Sequence, residues 1–184
     1  MEKKQICTAL ERARYGYEKY VKIMDMFSNV NVSLDKEFQN LYTDFYKIRH
    51  KNINFYDAYY TYLEQSKRSK PTFTDALKCL YKFGRLEASF ASKLLATIDP
   101  NLPVWDQFIL KYFHLVAPSR EIIEEARIRQ ANVIYEDIIK KYKAFLAGDE
   151  SKMWIQLFDE YYPNNKLTSI KKLDLIIWQT RGTE

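Results

Sequence analysis

Hydrophobic residues recur at intervals of three and four along most of this chain, which is the spacing of one face of an α-helix. The clearest stripe consists of Ala131, Ile134, Ile138, Tyr142 and Phe145. No stretch of useful length alternates polar and apolar residues, as a half-buried β-strand would. The pattern therefore predicts an all-α fold, a compact multi-helix domain without a sheet.

Polar and glycine- or proline-containing breaks between the periodic segments predict where the helices begin and end. Helices are expected over about 4–27, 35–48, 55–65, 73–83, 90–98, 106–113, 118–147, 152–161 and 168–180. Thr72 and Asp75 have the spacing of a capping box, and Asp106 occupies the N-cap position of a later helix. The 184 residues suit a single helical domain spanning 1–184, since one domain usually takes roughly 100–200 residues.

The composition narrows the class of protein without choosing a function. Hydrophobic residues make up 47% of the chain, which argues against disorder, and the 4 Gly and 5 Pro are too few for a turn-rich β-sandwich. The 15 Tyr residues can pack a helical core, because the ring is buried while the hydroxyl reaches a polar partner, or they can stack on bases. A net charge of +5 permits binding to phosphates and does not require it.

The few potential metal ligands predict no metal site and no cofactor. Cys7 and Cys79 cannot supply a four-thiolate zinc or iron–sulfur site, and His50 and His114 are isolated. Two cysteines form no disulfide framework, the N-terminal residues lack the apolar core of a signal peptide, and the apolar runs are too short for a membrane span. A cytoplasmic location is therefore expected, associated with the nucleoid if the protein binds DNA.

Candidate chemistry is concentrated in the region 73–116, and above all between Gly84 and Asp106. Small residues at the start of the 90–98 helix allow another backbone or a phosphate to approach closely, and the helix-opening amides favour an anion. Lys93 is expected to point away from the apolar stripe of its helix. From the residues alone, Lys93 is typical of a solvated surface lysine and Asp106 of an N-cap.

Two blocks of this segment resemble helix-hairpin-helix DNA glycosylases. Ser89–Lys93 resembles the family's hairpin, which in the 8-oxoguanine branch reads Gly-Val-Gly-Thr-Lys and ends in the nucleophilic lysine. Leu102–Asp106 resembles the proline-containing loop that supplies the family's catalytic aspartate at the start of the next helix. The combination is also similar to compact bacterial proteins related to 8-oxoguanine glycosylases.

The segment departs from the family pattern at defined positions. Ser89 and Ala91 stand where the family has the two hairpin glycines. The interval between Lys93 and Asp106 is several residues shorter than in the usual enzymes, and the iron–sulfur loop is absent.

The resemblance implies a DNA partner and base-excision chemistry. In this interpretation the base is flipped out of the duplex, Lys93 attacks C1′ of the deoxyribose to give a Schiff base, and Asp106 stabilises the charged sugar. The further implied site residues are Arg85, Ser89, Ala91 and Ser92 at the DNA backbone and Trp105 in a base pocket. The alternatives are a nucleic-acid-binding helical domain without catalysis and a helical protein-interaction module.

Polar and aromatic residues outside this segment receive structural predictions. Lys171, Lys172 and Asp174 are expected to face solvent, and Trp178 is expected to belong to the core. The pairs Arg12–Arg14 and Tyr15–Tyr17 predict either a basic-aromatic surface or a helix–helix contact.

Overall fold

A computed structural model describes residues 2–118 and 124–180. These residues form nine α-helices and contain no strand, so the predicted all-α class is confirmed. The helices are α1 (Lys3–Asn29), α2 (Lys36–Tyr46), α3 (Ile53–Ser66), α4 (Phe73–Tyr81), α5 (Ala88–Ile98), α6 (Gln107–Tyr112), α7 (Glu124–Leu146), α8 (Asp149–Tyr161) and α9 (Ser169–Gln179). The start of α7 is predicted at Pro118-Ser119, and residues 119–123 lie outside the described residues. Within the described ranges, no helix has the length and hydropathy needed to cross a membrane.

Side-chain caps define the starts of several helices. Thr72 and Asp75 form the predicted capping box of α4, because each side chain accepts a hydrogen bond from the other's backbone amide. Asp106 Oδ1 accepts a hydrogen bond of 2.9 Å from the Phe108 amide, which confirms Asp106 as the N-cap of α6. Thr168 caps α9 in the same manner. These caps satisfy amides that the first helical turn leaves without partners.

The turn between α4 and α5 precedes Ser89–Lys93, the block that resembles the family's hairpin. Gly84 has a φ of 84°, in the left-handed region that side chains with a Cβ rarely adopt. The next helix begins at Ala88, so Ser89 lies in the first turn of α5 and not in the hairpin loop itself. The proline turn that follows α5 is closed by Asp99, whose carboxylate accepts a hydrogen bond of 3.0 Å from the Asn101 amide.

One hydrophobic core contains residues from all nine helices. Tyrosines occupy its centre: Tyr42 and Tyr59 are completely buried, and their hydroxyls lie 3.1 Å apart. The Tyr42 hydroxyl also lies 3.1 Å from Thr97 Oγ1 of α5. For these tyrosines, core packing with paired hydroxyls is therefore the correct interpretation.

Two helices are buried on every side. In α5 all residues from 91 to 97 are buried, and in α9 all residues from 171 to 177 are buried. A helix that is enclosed in this way is a core helix, not an amphipathic surface helix. Of the small residues linked to phosphate approach, which are Ala88, Ser89, Ala91 and Ser92, all but Ser89 are buried, and these three allow neighbouring helices to pack closely.

The burial of α9 corrects one group of predictions. Lys171, Lys172 and Asp174 do not face solvent, because their exposed fractions are only 2%, 9% and 2%. Lys171 Nζ donates a hydrogen bond of 3.0 Å to Asp174, and the Tyr142 hydroxyl of α7 donates one to the same carboxylate. Trp178 packs against the core, as predicted, but remains partly exposed.

Candidate functional site

A cleft of about 540 Å³ opens where α1, the end of α2, the starts of α5 and α6, and the end of α9 meet. Lys93, Asp106 and Ser89 all line this cleft. The structure therefore brings the two predicted catalytic residues together, although the chain between them is short.

Lys93 enters the cleft from a buried position. Its side chain is only 4% exposed, and Nζ donates a hydrogen bond of 3.1 Å to the backbone oxygen of Tyr46 at the end of α2. The same ammonium lies 5.5 Å from the centroid of the Phe90 ring. The interpretation of Lys93 as a solvated surface residue is therefore wrong, because the end of α2 covers that side of α5.

The surroundings of Lys93 favour its neutral form. Burial lowers the pKa of Lys93 to about 8, the Asp106 carboxylate partly opposes this shift, and the Lys171 ammonium adds to it. With that pKa, about a tenth of the Lys93 side chains are neutral at pH 7. A neutral amine carries the lone pair that a nucleophile needs.

A hydrogen bond between Ser92 and Trp105 fixes the relative position of the residues that follow them, Lys93 and Asp106. Ser92 Oγ accepts a hydrogen bond of 2.7 Å from the Trp105 amide, which joins α5 directly to the proline turn. The turn is held from its other side by Tyr135, whose hydroxyl donates a hydrogen bond of 3.0 Å to the Pro103 carbonyl. Since Lys93 follows Ser92 and Asp106 follows Trp105, this contact holds the backbones of the two cleft residues close together.

Three of the residues assigned to DNA contact are enclosed by the protein. Ala91 and Ser92 are completely buried, so neither side chain is available to a phosphate. Trp105 is 5% exposed, and its ring stacks on Phe73 with the centroids 6.2 Å apart. The buried Ala91 and Ser92 side chains pack between helices, and a DNA contact of this segment stays a prediction for its backbone amides. The Trp105 ring, covered by Phe73, presents little surface to a base.

Arg85 lies apart from the cleft, in the turn before α5. It is exposed, and together with Lys51 and Arg127 it lines a smaller depression of about 390 Å³. Glu87 lies in the same depression and forms an ion pair with Lys51. Three cations and one carboxylate therefore surround this second concavity.

Sequence analysis missed most of the cleft wall, which comes from distant parts of the chain. The aromatic wall residues are Phe45, Tyr46, Phe90, Phe108 and Trp178, and the basic residues at the rim are Arg12, Lys19 and Lys47. The one available signal was the run of arginines and tyrosines in α1, which the sequence left open between a surface and a helix contact. Within the described residues, no group of three or more His, Cys, Asp or Glu side chains is arranged to hold a metal ion.

Comparisons of this chain with protein-family models, with curated proteins and with solved structures find no match. The geometry of the cleft is therefore the basis for a functional proposal.

Proposed function

We propose that this protein is a DNA base-excision glycosylase in which the Lys93 amine is the nucleophile. The observation that carries the proposal is a single cleft holding a buried lysine, whose pKa is lowered to about 8, beside an aspartate. Buried amines of this kind are typical of enzymes that form Schiff bases.

The proposed reaction begins with attack of the neutral Lys93 amine on C1′ of the damaged nucleotide. The bond from C1′ to the base breaks, its electron pair leaves with the base, and the proton lost by the attacking nitrogen can neutralise that base. The C1′–O4′ bond then breaks, its electron pair leaves with O4′, the remaining proton on Nζ passes to O4′, and an imine forms between C1′ and Nζ. The Asp106 carboxylate stabilises the positive charge that develops on the sugar.

The size and the walls of the cleft suit a flipped nucleotide. Its volume of about 540 Å³ is in the range of ligand pockets, roughly 300–1,000 Å³. Phe90 and Trp178 line it and supply aromatic surface against which a base can pack. The proposed base pocket is therefore formed by these residues in place of Trp105.

The depression at Arg85 supports a DNA backbone close to the cleft. The Lys51 ammonium lies 5.2 Å from the Phe90 ring centroid, and Lys93 Nζ lies 5.5 Å from the same centroid. Both ammonium groups thus lie near one ring of the cleft wall, which brings the depression lined by Lys51, Arg85 and Arg127 close to the cleft. Phosphates beside a flipped nucleotide are the anions that these cations would meet.

The test is borohydride trapping on duplexes that carry 8-oxoguanine, uracil or an abasic site. The wild-type protein should give a covalent complex, because borohydride reduces the imine to a stable amine. Lys93→Gln should give none, since an amide nitrogen cannot form the imine. Wild-type protein that binds all three duplexes and is never trapped would leave a nucleic-acid-binding domain without catalysis.

The Asp106→Asn variant tests whether the carboxylate charge is needed for base release without removing the N-cap of α6. We expect base release to fall by about 100-fold or more, because the carboxylate charge is lost, while DNA affinity changes little. Asparagine is also a good N-cap, so the melting temperature should stay close to that of the wild type. Base release at the wild-type rate would remove Asp106 from the proposed mechanism.

A further inference from the structure

The side of the cleft formed by α1 carries a basic-aromatic rim, defined here as Arg12, Tyr15, Lys19 and Lys47. The three α1 residues are spaced three and four apart, so they share one face of that helix. Lys47 adjoins them from the left-handed C-cap of α2. All four residues line the cleft that holds Lys93, so the rim is continuous with the proposed site.

Tyr15 is the aromatic residue of the rim, and it is more exposed than the other aromatic residues that line the cleft. Its exposed fraction is 68%, in contrast to the buried tyrosines of the core. The Lys19 ammonium lies 4.1 Å from the centroid of the Tyr15 ring and steadies it by a cation–π contact. One ring face is therefore occupied by a cation, and the high exposure leaves the rest of the ring to a partner.

The charge of the rim suits a polyanion. Arg12, Lys19 and Lys47 carry three positive charges, and Asp44 is the acidic residue that pairs with both lysines. The Lys47–Asp44 pair has a length of 3.0 Å, and the Lys47 side chain is 59% exposed. Such an exposed pair is weak enough to exchange for a contact with a phosphate.

We propose that the rim binds an unpaired strand of nucleic acid, with Tyr15 stacked on an unpaired base and Arg12 and Lys47 at the flanking phosphates. In a duplex the faces of the bases are covered by their neighbours, whereas in a single strand each base has a face available for an aromatic side chain. The protein therefore prefers single-stranded or locally opened DNA over intact duplex. This inference builds on the proposed function, because the strand leads into the cleft that receives the flipped nucleotide.

The test measures binding to undamaged DNA, on which no base release occurs. Fluorescence anisotropy gives the affinity for a short labelled oligothymidine and for a duplex of the same length. We expect tighter binding to the single strand, and a loss of about 5- to 150-fold in Tyr15→Ala, the range typical of lost base stacking. Tyr15→Phe should retain binding, because the ring and not the hydroxyl makes the contact.

A matched pair of lysine variants tests the phosphate contact. Lys47 and Lys140 are both exposed and both paired with an aspartate three residues earlier, at 3.0 Å and 3.2 Å, but Lys140 lies on α7 outside the rim. Lys47→Asn, which keeps a residue tolerant of the left-handed conformation, should reduce the slope of log affinity against log salt by about 0.7. Lys140→Gln should leave that slope unchanged.

The outcomes separate this inference from the proposed glycosylase. Equal affinity for single strand and duplex, or Tyr15→Ala binding like the wild type, overturns the inference whatever the trapping experiment gives. The other informative result is single-strand binding that depends on Tyr15 while no complex is trapped by borohydride. That result supports strand binding at the rim and overturns only the proposed glycosylase activity.

Discussion

At the scale of single residues, the burial of Lys93 links reactivity to stability. Taking an ammonium out of water costs free energy, and here the cost appears as a pKa lowered to about 8. The group that accepts a hydrogen bond from Lys93 Nζ is neutral, the backbone carbonyl of Tyr46. The surroundings of Lys93 therefore favour an available lone pair over a stable ion pair.

Lys93→Met should stabilise the protein at neutral pH. Between the folded pKa of about 8 and the unfolded value of 10.5, only the unfolded state binds the proton, so the wild-type free energy of unfolding rises across this window. We expect the variant to be more stable by about 2–3 kcal/mol at pH 7, and its advantage to shrink as the pH approaches 10. Urea denaturation at both pH values measures this, with exposed Lys140→Met as a control that should show no such dependence. A variant less stable than the wild type at pH 7 would contradict the prediction.

The same protonation step should govern the rate of trapping. Because attack requires the neutral amine, the rate of borohydride-trapped complex formation should rise with pH and level off above about pH 8. Single-turnover rates from pH 6 to 9 give the apparent pKa. A rate that falls over this interval would contradict attack by the neutral Lys93 amine.

At the scale of helices, the sequence predicted the positions of the helices better than the burial of their polar residues. The three- and four-residue spacing located the helices, and Thr72 and Asp106 marked two of their starts, because these signals are local. The burial of Lys93 and Lys171 could not be predicted in this way, since a polar residue on a periodic helix normally faces water. In α5 and α9 other helices cover that side as well, and only the tertiary structure determines this.

The buried ion pair of α9 yields a prediction on stability. Lys171→Met leaves the Asp174 carboxylate buried without its cation, and we expect a loss of about 3 kcal/mol or more. The double variant Lys171→Met/Asp174→Asn removes both charges, keeps the volume at position 174 and keeps an oxygen that accepts from the Tyr142 hydroxyl, so it should recover part of that loss. The melting temperatures of the single and double variants measure this recovery. Equal destabilisation of both would mean that packing, and not the unpaired charge, dominates.

At the scale of the whole molecule, the candidate site unites helices from distant parts of the chain. The segment from Ser89 to Asp106 supplies the groups proposed for chemistry, and that part could be predicted because it is contiguous. The rim of α1, the end of α2 and the end of α9 could not be predicted, since their convergence depends on how all the helices pack.

The net charge of the molecule predicts the salt dependence of the proposed binding to DNA. With only +5 overall and cations gathered at the cleft and at the Arg85 depression, affinity should be modest and strongly dependent on salt. Each neutralised phosphate adds about −0.9 to the slope of log affinity against log salt for duplex DNA. Titrations at several salt concentrations measure the slope. Binding that does not change between low and high salt would point to a protein partner instead.

The three tryptophans differ in exposure, so tryptophan fluorescence should report binding in the cleft. Trp154 is completely buried and Trp105 nearly so, whereas Trp178 is partly exposed and lines the cleft. Stacking of a base against the Trp178 indole should quench its emission, while the other two tryptophans, shielded from the ligand, contribute a constant background. Intrinsic fluorescence thus reports entry of a nucleotide without any label, and Trp178→Phe should abolish the change. The same signal would follow base flipping in real time, ahead of any covalent step.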